Sequence, residues 1–187
     1  ERALLKDNEH ESPEDEEHKH EPRRFVRWAE FEDAFSEFWR ESYLPHAVRG
    51  FFENGGGLCY VHEVHLAQGS TPAEALEAEL KALEVLDDVD LVCAPDIMWA
   101  QNGEPWPEDE MRRMQAAVLK HCRICGDRFA ILDTPPELGV DRAQAYPQSL
   151  RQTGAPEGAN GALYYPWIHV LDGPLASDRF VPPCGHV

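Results

Sequence analysis

Three aspartates stand just past the ends of predicted apolar strands, at Asp96, Asp133 and Asp172. In open α/β sheets, ligands bind beyond the carboxyl ends of the strands. Carboxylate oxygens are the ligands that Mg²⁺ prefers, so three convergent aspartates would suit phosphoryl transfer or hydrolysis. The structural interpretation is simpler, because Asp accepts hydrogen bonds from backbone donors where a strand turns into a loop. Neither a glycine-rich phosphate loop nor a G-x-S-x-G elbow accompanies the three, so we favour the structural role.

The segment His121–Cys125 contains a C-x-x-C pair with a histidine beside it. A zinc site needs four ligands, and only Cys184 and His186 remain as candidates for the other positions. A redox C-x-x-C belongs at a helix N-terminus, whereas this pair falls at a predicted helix C-terminus. We therefore favour structural or incidental cysteines. His62 and His65 lie three apart on a predicted strand and would project to opposite faces, which disfavours a shared ligand role.

Residues 1–22 form a separate compositional block. From Asp7 to Glu21 the chain is nearly all Asp, Glu, His and Lys, with one Pro and no apolar residue. Such a segment cannot offset the entropy of ordering, so we predict an acidic, disordered segment or linker. His10, His18 and His20 within it are predicted to be weak, incidental metal ligands.

The rest of the chain alternates between helical and strand patterns. Apolar residues at helical spacing predict helices over 28–39, 44–52, 72–86, 107–125 and 140–152, and apolar segments predict strands over 58–64, 89–95, 128–133 and 162–171. Pro166 interrupts the last strand, which predicts an edge strand or a bulge. This alternation predicts an α/β fold with a mixed, mainly parallel sheet flanked by helices.

The clearest local pattern is a helix, an abrupt stop and a strand over residues 42–64. Asn54 and Gly55–Gly57 end the helix, because these residues reach the left-handed conformation that others resist. We expect Phe51 and Phe52 to anchor this helix under the sheet. The helix carries one apolar stripe, formed by Leu44, Ala47, Val48, Phe51 and Phe52.

Composition limits the function classes. The 187 residues suit one domain, or a domain with a tail, and 42% of them are hydrophobic, enough for a substantial core. A net charge of −18 disfavours nucleic acid or an anionic membrane as a partner. No apolar run approaches the ~20 residues that a membrane helix needs. Five cysteines, an odd number, fit reduced thiols in a cytosol.

Several segments together resemble the tail sheath proteins of contractile phage tails and phage-like contractile injection systems. They lie in collinear order over about residues 25–187, at 27–31, 43–44, 47–56, 59–61, 88–95, 127–133, 162–172 and 181–187. The residues that carry the structural signature are Phe51, Phe52, Asn54, Gly55, Gly56, Pro95, Asp133, Tyr165, Pro166, Trp167, Pro182, Pro183 and Gly185. No single motif is chemically diagnostic, and the resemblance rests on their number and order.

The resemblance implies a structural protomer with no catalytic residue, cofactor or metal. Such protomers stack as hexameric rings around an inner tube and contract to drive it through a target envelope. The implied partners are other sheath protomers, the inner tube protein, the baseplate and the tail terminator, without nucleic acid or membrane insertion. Assembly would take place in the bacterial cytoplasm, and the product would belong to a phage virion tail or to a released or anchored injection particle.

The sequence departs from that family in three places. The N-terminal strand before the core is not recognisable, and the chain stops at 181–187, where the family continues into a C-terminal linking domain. Relatives have a small residue such as Ser at the position of Cys184. We expect residues 23–187 to be a sheath-like α/β core domain and the chain to be a fragment. The alternatives are a Mg²⁺-dependent hydrolase or phosphatase-like domain and a stand-alone sheath-like adaptor.

Overall fold

The computed structural model describes residues 21–35, 42–101, 104–156, 160–172 and 177–187. The predicted acidic segment 1–22 falls almost wholly outside them. Along the chain come β1 (Arg23–Phe25), α1 (Trp28–Phe35), α2 (Leu44–Glu53), β2 (Cys59–Val61), α3 (Pro72–Glu79), β3 (Leu91–Cys93), β4 (Ala100–Gln101), β5 (Glu104–Pro105), α4 (Glu108–Cys125), β6 (Phe129–Asp133), α5 (Val140–Gln152), β7 (Gly161–Tyr164), β8 (Ile168–Asp172) and β9 (Ser177–Val181). Short 3₁₀ turns cover Leu80–Leu83, Pro95–Met98 and Pro183–Gly185.

A three-stranded parallel sheet in the order β3-β6-β7 lies at the centre of the fold. The other described sheets are antiparallel pairs, namely β1 with β2, β4 with β5, and β8 with β9. The α/β class is therefore confirmed. The expectation of a mainly parallel sheet is wrong, because the segments at both ends of the described chain fold back on their neighbours as antiparallel pairs instead of extending the central sheet.

The main hydrophobic core lies between the central sheet and helices α3, α4 and α5. Val118 and Ala130 are fully buried there, one on α4 and the other on β6. A buried polar link joins the same elements: the Gln115 side chain donates to the Asp133 carbonyl at 2.6 Å and accepts from the Tyr146 hydroxyl at 3.0 Å. The N–H and the oxygen of the Gln115 side chain are therefore both hydrogen-bonded, and the link holds α4 and α5 on the sheet.

A second, aromatic core joins β1 and β2 to helices α1 and α2. Phe25, Phe31 and Phe35 pack as edge-on and stacked rings with centroids 4.9–5.9 Å apart. Val48 of α2 and Val61 of β2 complete the buried set. Helix α2 therefore belongs to both halves of the molecule, because its other side faces the C-terminal 3₁₀ turn.

Local signals set most helix ends. Thr71 caps α3 through a capping box with Glu74. Gly126 ends α4 with a left-handed φ of 79°. The predicted helix over 72–86 changes to a 3₁₀ turn at Leu80.

The predicted strand over 162–171 is two strands, β7 in the central sheet and β8 in the hairpin, separated at Pro166.

The buried face of α2 differs from the predicted stripe. Its buried residues are Pro45, His46, Ala47, Val48 and Gly50. Ala47 and Val48 of the predicted stripe are buried, and Leu44 and Phe52 pack against the aromatic core. Phe51 and Phe52 are half-buried, with ring centroids 5.3 Å apart. Gly50 is buried in addition because α2 also packs against the C-terminal turn. Among the described residues, no helix is long and apolar enough to cross a membrane.

Candidate functional site at the junction of α2 and the C-terminal turn

The C-terminal 3₁₀ turn, Pro183–Gly185, packs directly on helix α2. A Cβ atom built on Gly50 would lie 2.7 Å from the Nε2 and Cδ2 atoms of His186. A Cβ atom on Gly185 would overlap the Ala47 backbone. Real Cβ atoms do not come this close to other atoms. Glycine at positions 50 and 185 therefore allows the C-terminal turn to lie against α2. We call α2, the end of β6 and this turn the junction.

Asp133 attaches the turn to the central sheet. It ends β6, is 3% exposed, and its Oδ1 accepts the backbone N–H of Cys184 at 3.0 Å. Removal from water raises the pKa of the Asp133 carboxyl to about 6, although the hydrogen bonds from Cys184 oppose the shift. The aspartate thus satisfies a backbone donor 51 residues away along the chain.

Asp96 attaches the start of α2 to the loop after β3. Its carboxyl accepts the Ser42 hydroxyl and the Tyr43 backbone N–H, both at 2.6 Å. The Ser42 Oγ atom in turn accepts the Leu44 N–H at 2.9 Å. Burial raises the pKa of Asp96, opposed by these hydrogen bonds. Two of the three aspartates considered as a possible metal site, Asp96 and Asp133, therefore accept backbone N–H groups here, which is the structural role that the sequence favours.

Arg179 of β9 stacks against the aromatic side of the junction. Its guanidinium carbon lies 5.1 Å from the Tyr43 ring centroid and 4.9 Å from that of Trp99. The Tyr43 ring also meets Trp167 edge-on at 5.3 Å. The His46 Nε2 atom lies 3.4 Å from the Arg179 Nη1. A cation over an aromatic ring is an attractive contact, so the contacts of Arg179 with Tyr43 and Trp99 hold the β8–β9 hairpin on the junction.

The predicted signature residues lie in three places. Pro95, Pro182 and Pro183 are buried at or beside the junction, and the Trp167 Nε1 donates to the Thr134 carbonyl at 2.8 Å. Tyr165 and Pro166 are exposed at the step between β7 and β8. At the far end of α2, the Asn54 side chain donates to the Gly50 carbonyl at 2.9 Å, Gly55 has a left-handed φ of 95°, and Gly56 lies against the Phe51 ring.

The predicted acidic metal site stays a prediction. Asp96 lies in the 3₁₀ turn that follows β3, and Asp133 ends the neighbouring strand β6. Asp172 ends β8, where it pairs with Ser177 of β9. The described residues contain no group of three His, Cys, Asp or Glu side chains arranged to hold a metal ion.

The candidate zinc ligands lie in two separate places, one on α4 and one at the junction. The Cys125 sulfur is 3.8 Å from the His121 Nε2 on α4, while Cys184 and His186 belong to the junction. Arg128 lies beside His121 and donates to the Leu83 and Leu86 carbonyls, each at 2.9 Å. It therefore holds the chain segment after α3 through two backbone carbonyls, of which the Leu83 carbonyl also accepts the Leu86 N–H at 3.2 Å, a role that the charge pattern alone did not predict.

His62 has a partner that the sequence pattern did not reveal. Its Nε2 lies 3.0 Å from the Glu79 Oε2, and the side chains are 6% and 13% exposed. The pair connects the segment after β2 to the end of α3. That His62 and His65 share no ligand role stays a prediction.

The buried thiols are poor nucleophiles. Burial raises the pKa of Cys59 to about 12 and that of Cys122 to about 11. Since the thiolate is the reactive form, these cysteines act as small packing residues at neutral pH.

Comparison with known proteins supports the fold. No protein-family model and no curated protein matches the sequence. Among solved structures, the chain is similar to a chain of the anti-feeding prophage helical sheath, determined by cryo-electron microscopy in the contracted state. The TM-score is 0.54 at 18% identity, over 89% of this chain and 39% of that chain. At this identity the likeness concerns the fold, and this chain spans 39% of the length of the sheath chain: the described domain has a sheath-like α/β fold.

Proposed function

We propose that this chain is the core-domain part of a contractile sheath protomer, a structural and non-enzymatic component. One observation carries the proposal: the fold is similar to a helical sheath chain over 89% of its own length. The collinear segments at 47–56, 127–133 and 181–187 support it, because they contribute to the junction of α2, the end of β6 and the C-terminal turn.

In this proposal the protomer assembles with copies of itself as stacked hexameric rings around an inner tube. Segments of a longer protein, beyond this domain, supply the contacts between rings. The core domain moves as a unit during contraction, so it needs fixed internal packing. The satisfied polar contacts at Asp96, Asp133 and Gln115 meet that need.

The same proposal implies that the protein belongs to a phage tail or a phage-like injection particle. Its other partners would then be an inner tube, a baseplate and a tail terminator. The acidic charge of −18 suits a particle surface that must stay free of non-specific contacts with nucleic acid.

Sedimentation of the full-length product tests the assembly directly. We expect the product to enter a high-speed pellet as large polymers, with no Mg²⁺-dependent phosphatase or hydrolase turnover in the supernatant. A monomeric product with metal-dependent turnover that Asp133→Asn abolishes would overturn the proposal in favour of the hydrolase. Incorporation only in the presence of a separate sheath protein would support the adaptor instead.

A further inference from the structure

The ring of His186 lies between the C-terminal 3₁₀ turn and helix α2. The His186 backbone N–H donates to the Pro183 carbonyl at 2.8 Å, which holds the residue against the turn. A Cβ atom built on Gly50 would lie 2.7 Å from the Nε2 atom of the ring and 2.8 Å from Cε1, so the edge that carries Nε2 faces the helix backbone. The Gly50 carbonyl already accepts the backbone and side-chain N–H groups of Asn54, at 3.0 Å and 2.9 Å. The ring therefore meets the helix where this carbonyl is already hydrogen-bonded.

The second ring nitrogen of His186 is buried at the same contact. Among the residues that the structure describes, no group forms a hydrogen bond with the His186 Nδ1 atom. In a neutral imidazole one nitrogen carries a proton and the other a lone pair, whereas in an imidazolium both nitrogens are donors. The neutral ring can therefore leave only a lone pair at Nδ1. Protonation puts an N–H group and a positive charge at a buried position that offers no acceptor, which is costly.

Helix α2 carries one acid that opposes this effect. Glu53 favours the protonated form of the His186 ring. Its side chain is 60% exposed and already binds the Arg49 guanidinium at 2.7 Å, so water and this partner weaken its attraction. Burial has the larger effect and holds the pKa of His186 below its ordinary value of 6.5. The contact with α2 therefore favours the neutral ring.

The other charged groups of the junction come from β6 and β9. On β6, Asp133 accepts the Cys184 backbone N–H, and burial raises the pKa of its carboxyl to about 6. This carboxyl therefore takes up a proton in the pH range in which His186 would gain one, and it loses the charge that could attract an imidazolium. On β9, the Arg179 Nη1 lies 3.4 Å from the His46 Nε2 of α2 and adds positive charge to the same helix. Neither group stabilises a protonated His186 at acid pH.

We propose that His186 makes the contact between the C-terminal turn and α2 sensitive to acid: the neutral ring keeps the turn on the helix, and a protonated ring releases it. The proton comes from solvent, and no covalent bond changes. The release is local, because His186 belongs to neither of the two hydrophobic cores, which stay folded while the turn opens. This inference concerns the described domain and holds whether or not the chain assembles into a sheath.

The pH range of the release follows from the two states of the ring. In the released turn the exposed ring has its ordinary pKa of 6.5, whereas in the closed turn its pKa is lower. The closed turn binds fewer protons between these two values, so it loses stability as the pH falls through them. Asp133 acts in the opposite direction, because its carboxyl has a higher pKa in the buried state and lower pH favours that state. A test must therefore measure the two residues separately.

Two measurements on the full chain test the proposal. An NMR titration of the histidine ring nitrogens gives the midpoint of His186, which we expect below 6.5. Hydrogen–deuterium exchange with mass spectrometry, corrected for the effect of pH on the intrinsic exchange rate, gives the open fraction of the peptide over residues 181–187. That fraction should rise by up to about tenfold for each pH unit between 6.5 and the His186 midpoint, and should level off below the midpoint.

Two variants separate the residues. His186→Phe keeps a planar ring over Gly50 and takes up no proton, so its turn should open to the same extent at about pH 7.5 and about pH 5. Asp133→Asn removes the opposing titration, so its opening at acid pH should be at least as large as that of the wild type. A His186 midpoint of 6.5 or higher in the wild type would overturn the proposal, as would equal opening at acid pH in the wild type and His186→Phe. Since the midpoint comes from the wild type, the test does not depend on the folding of the variants.

Discussion

Gly185 lies with its Cα directly against the backbone of Ala47, so that an added Cβ would approach the Ala47 Cβ and carbonyl oxygen at 2.5 Å. The same kind of close approach recurs about one helical turn later, where the His186 ring covers Gly50. Helix α2 and the C-terminal turn are therefore matched in shape along their contact. This contact, with Asp133 behind it, holds the last described residues on the core.

Adding a methyl group at Gly185 tests that match. Gly185→Ala must displace the turn from α2, and we expect a loss of about 1–3 kcal/mol in the free energy of unfolding. Urea denaturation monitored by circular dichroism measures it. Gly57→Ala is the control, because nothing lies within 4 Å of a Cβ at that position. Equal stability of the two variants would mean that the turn does not rest on α2.

The buried carboxyl of Asp133 should make stability depend on pH. Its pKa of about 6 in the folded state exceeds the unfolded value of about 3.9. The native state therefore binds more protons between these values, and its stability falls as pH rises through this window, by roughly 3 kcal/mol in total.

Asp133→Asn isolates this effect, because asparagine keeps an oxygen for the Cys184 N–H but does not titrate. The free energy of unfolding of the wild type minus that of Asp133→Asn should decline from about pH 4 to pH 7. Urea denaturation at several pH values across this window gives that difference. Parallel pH profiles for the two proteins would show that Asp133 is not titrating in the buried position described.

Arg128 should be intolerant of even a charge-conserving change. Its planar guanidinium reaches the Leu83 and Leu86 carbonyls together, and a lysine ammonium cannot reproduce that fork. We expect Arg128→Lys to cost about 2 kcal/mol in the free energy of unfolding, since one hydrogen bond from a charged donor to a backbone carbonyl is lost. Arg123 lies on the exposed face of α4, so Arg123→Lys should change the free energy of unfolding by no more than about 0.5 kcal/mol. Thermal and urea denaturation of both variants measure these changes. Similar losses in both variants would contradict the proposed role of Arg128.

Arg179 and Trp99 should be energetically coupled. A double-mutant cycle with Arg179→Lys and Trp99→Phe should give a coupling of about 0.5–2 kcal/mol, because the guanidinium stacks on the indole at 4.9 Å. Arg24→Lys with Trp99→Phe is the control cycle, since Arg24 lies on β1. Additive losses in the first cycle would show that the hairpin is held by other contacts.

The helices were the most predictable part of the fold. The limits of α4 and α5 agree with the sequence pattern because periodic apolar residues, acids in the first turn and Gly126 act locally. Thr71 likewise caps α3 by local chemistry. The end of the helix at Leu80 was not predictable, since the Arg128 guanidinium that binds the following carbonyls comes from 42–45 residues later in the chain.

The junction was predictable only in part. Resemblance singled out Asp133, Pro183 and Gly185, and the structure brings them together. The buried side of α2 was predicted only in part: Ala47 and Val48 are buried as expected, whereas the burial of Gly50 depends on the C-terminal turn, which the pattern of the helix does not reveal. Strand β9 gave no clear signal because Ser177–Val181 is mostly polar and pairs only with β8 among the described strands. Long-range hydrogen bonds to Asp96 leave no periodic signal at all.

Electron microscopy of the full-length product tests the central claim most directly. We predict helical tubes built of stacked rings, in a longer and a shorter form, with density in each subunit that fits the β3-β6-β7 sheet and its helices. A product that stays monomeric under the same conditions, or that forms assemblies in which this domain is absent from the tube wall, would contradict the account.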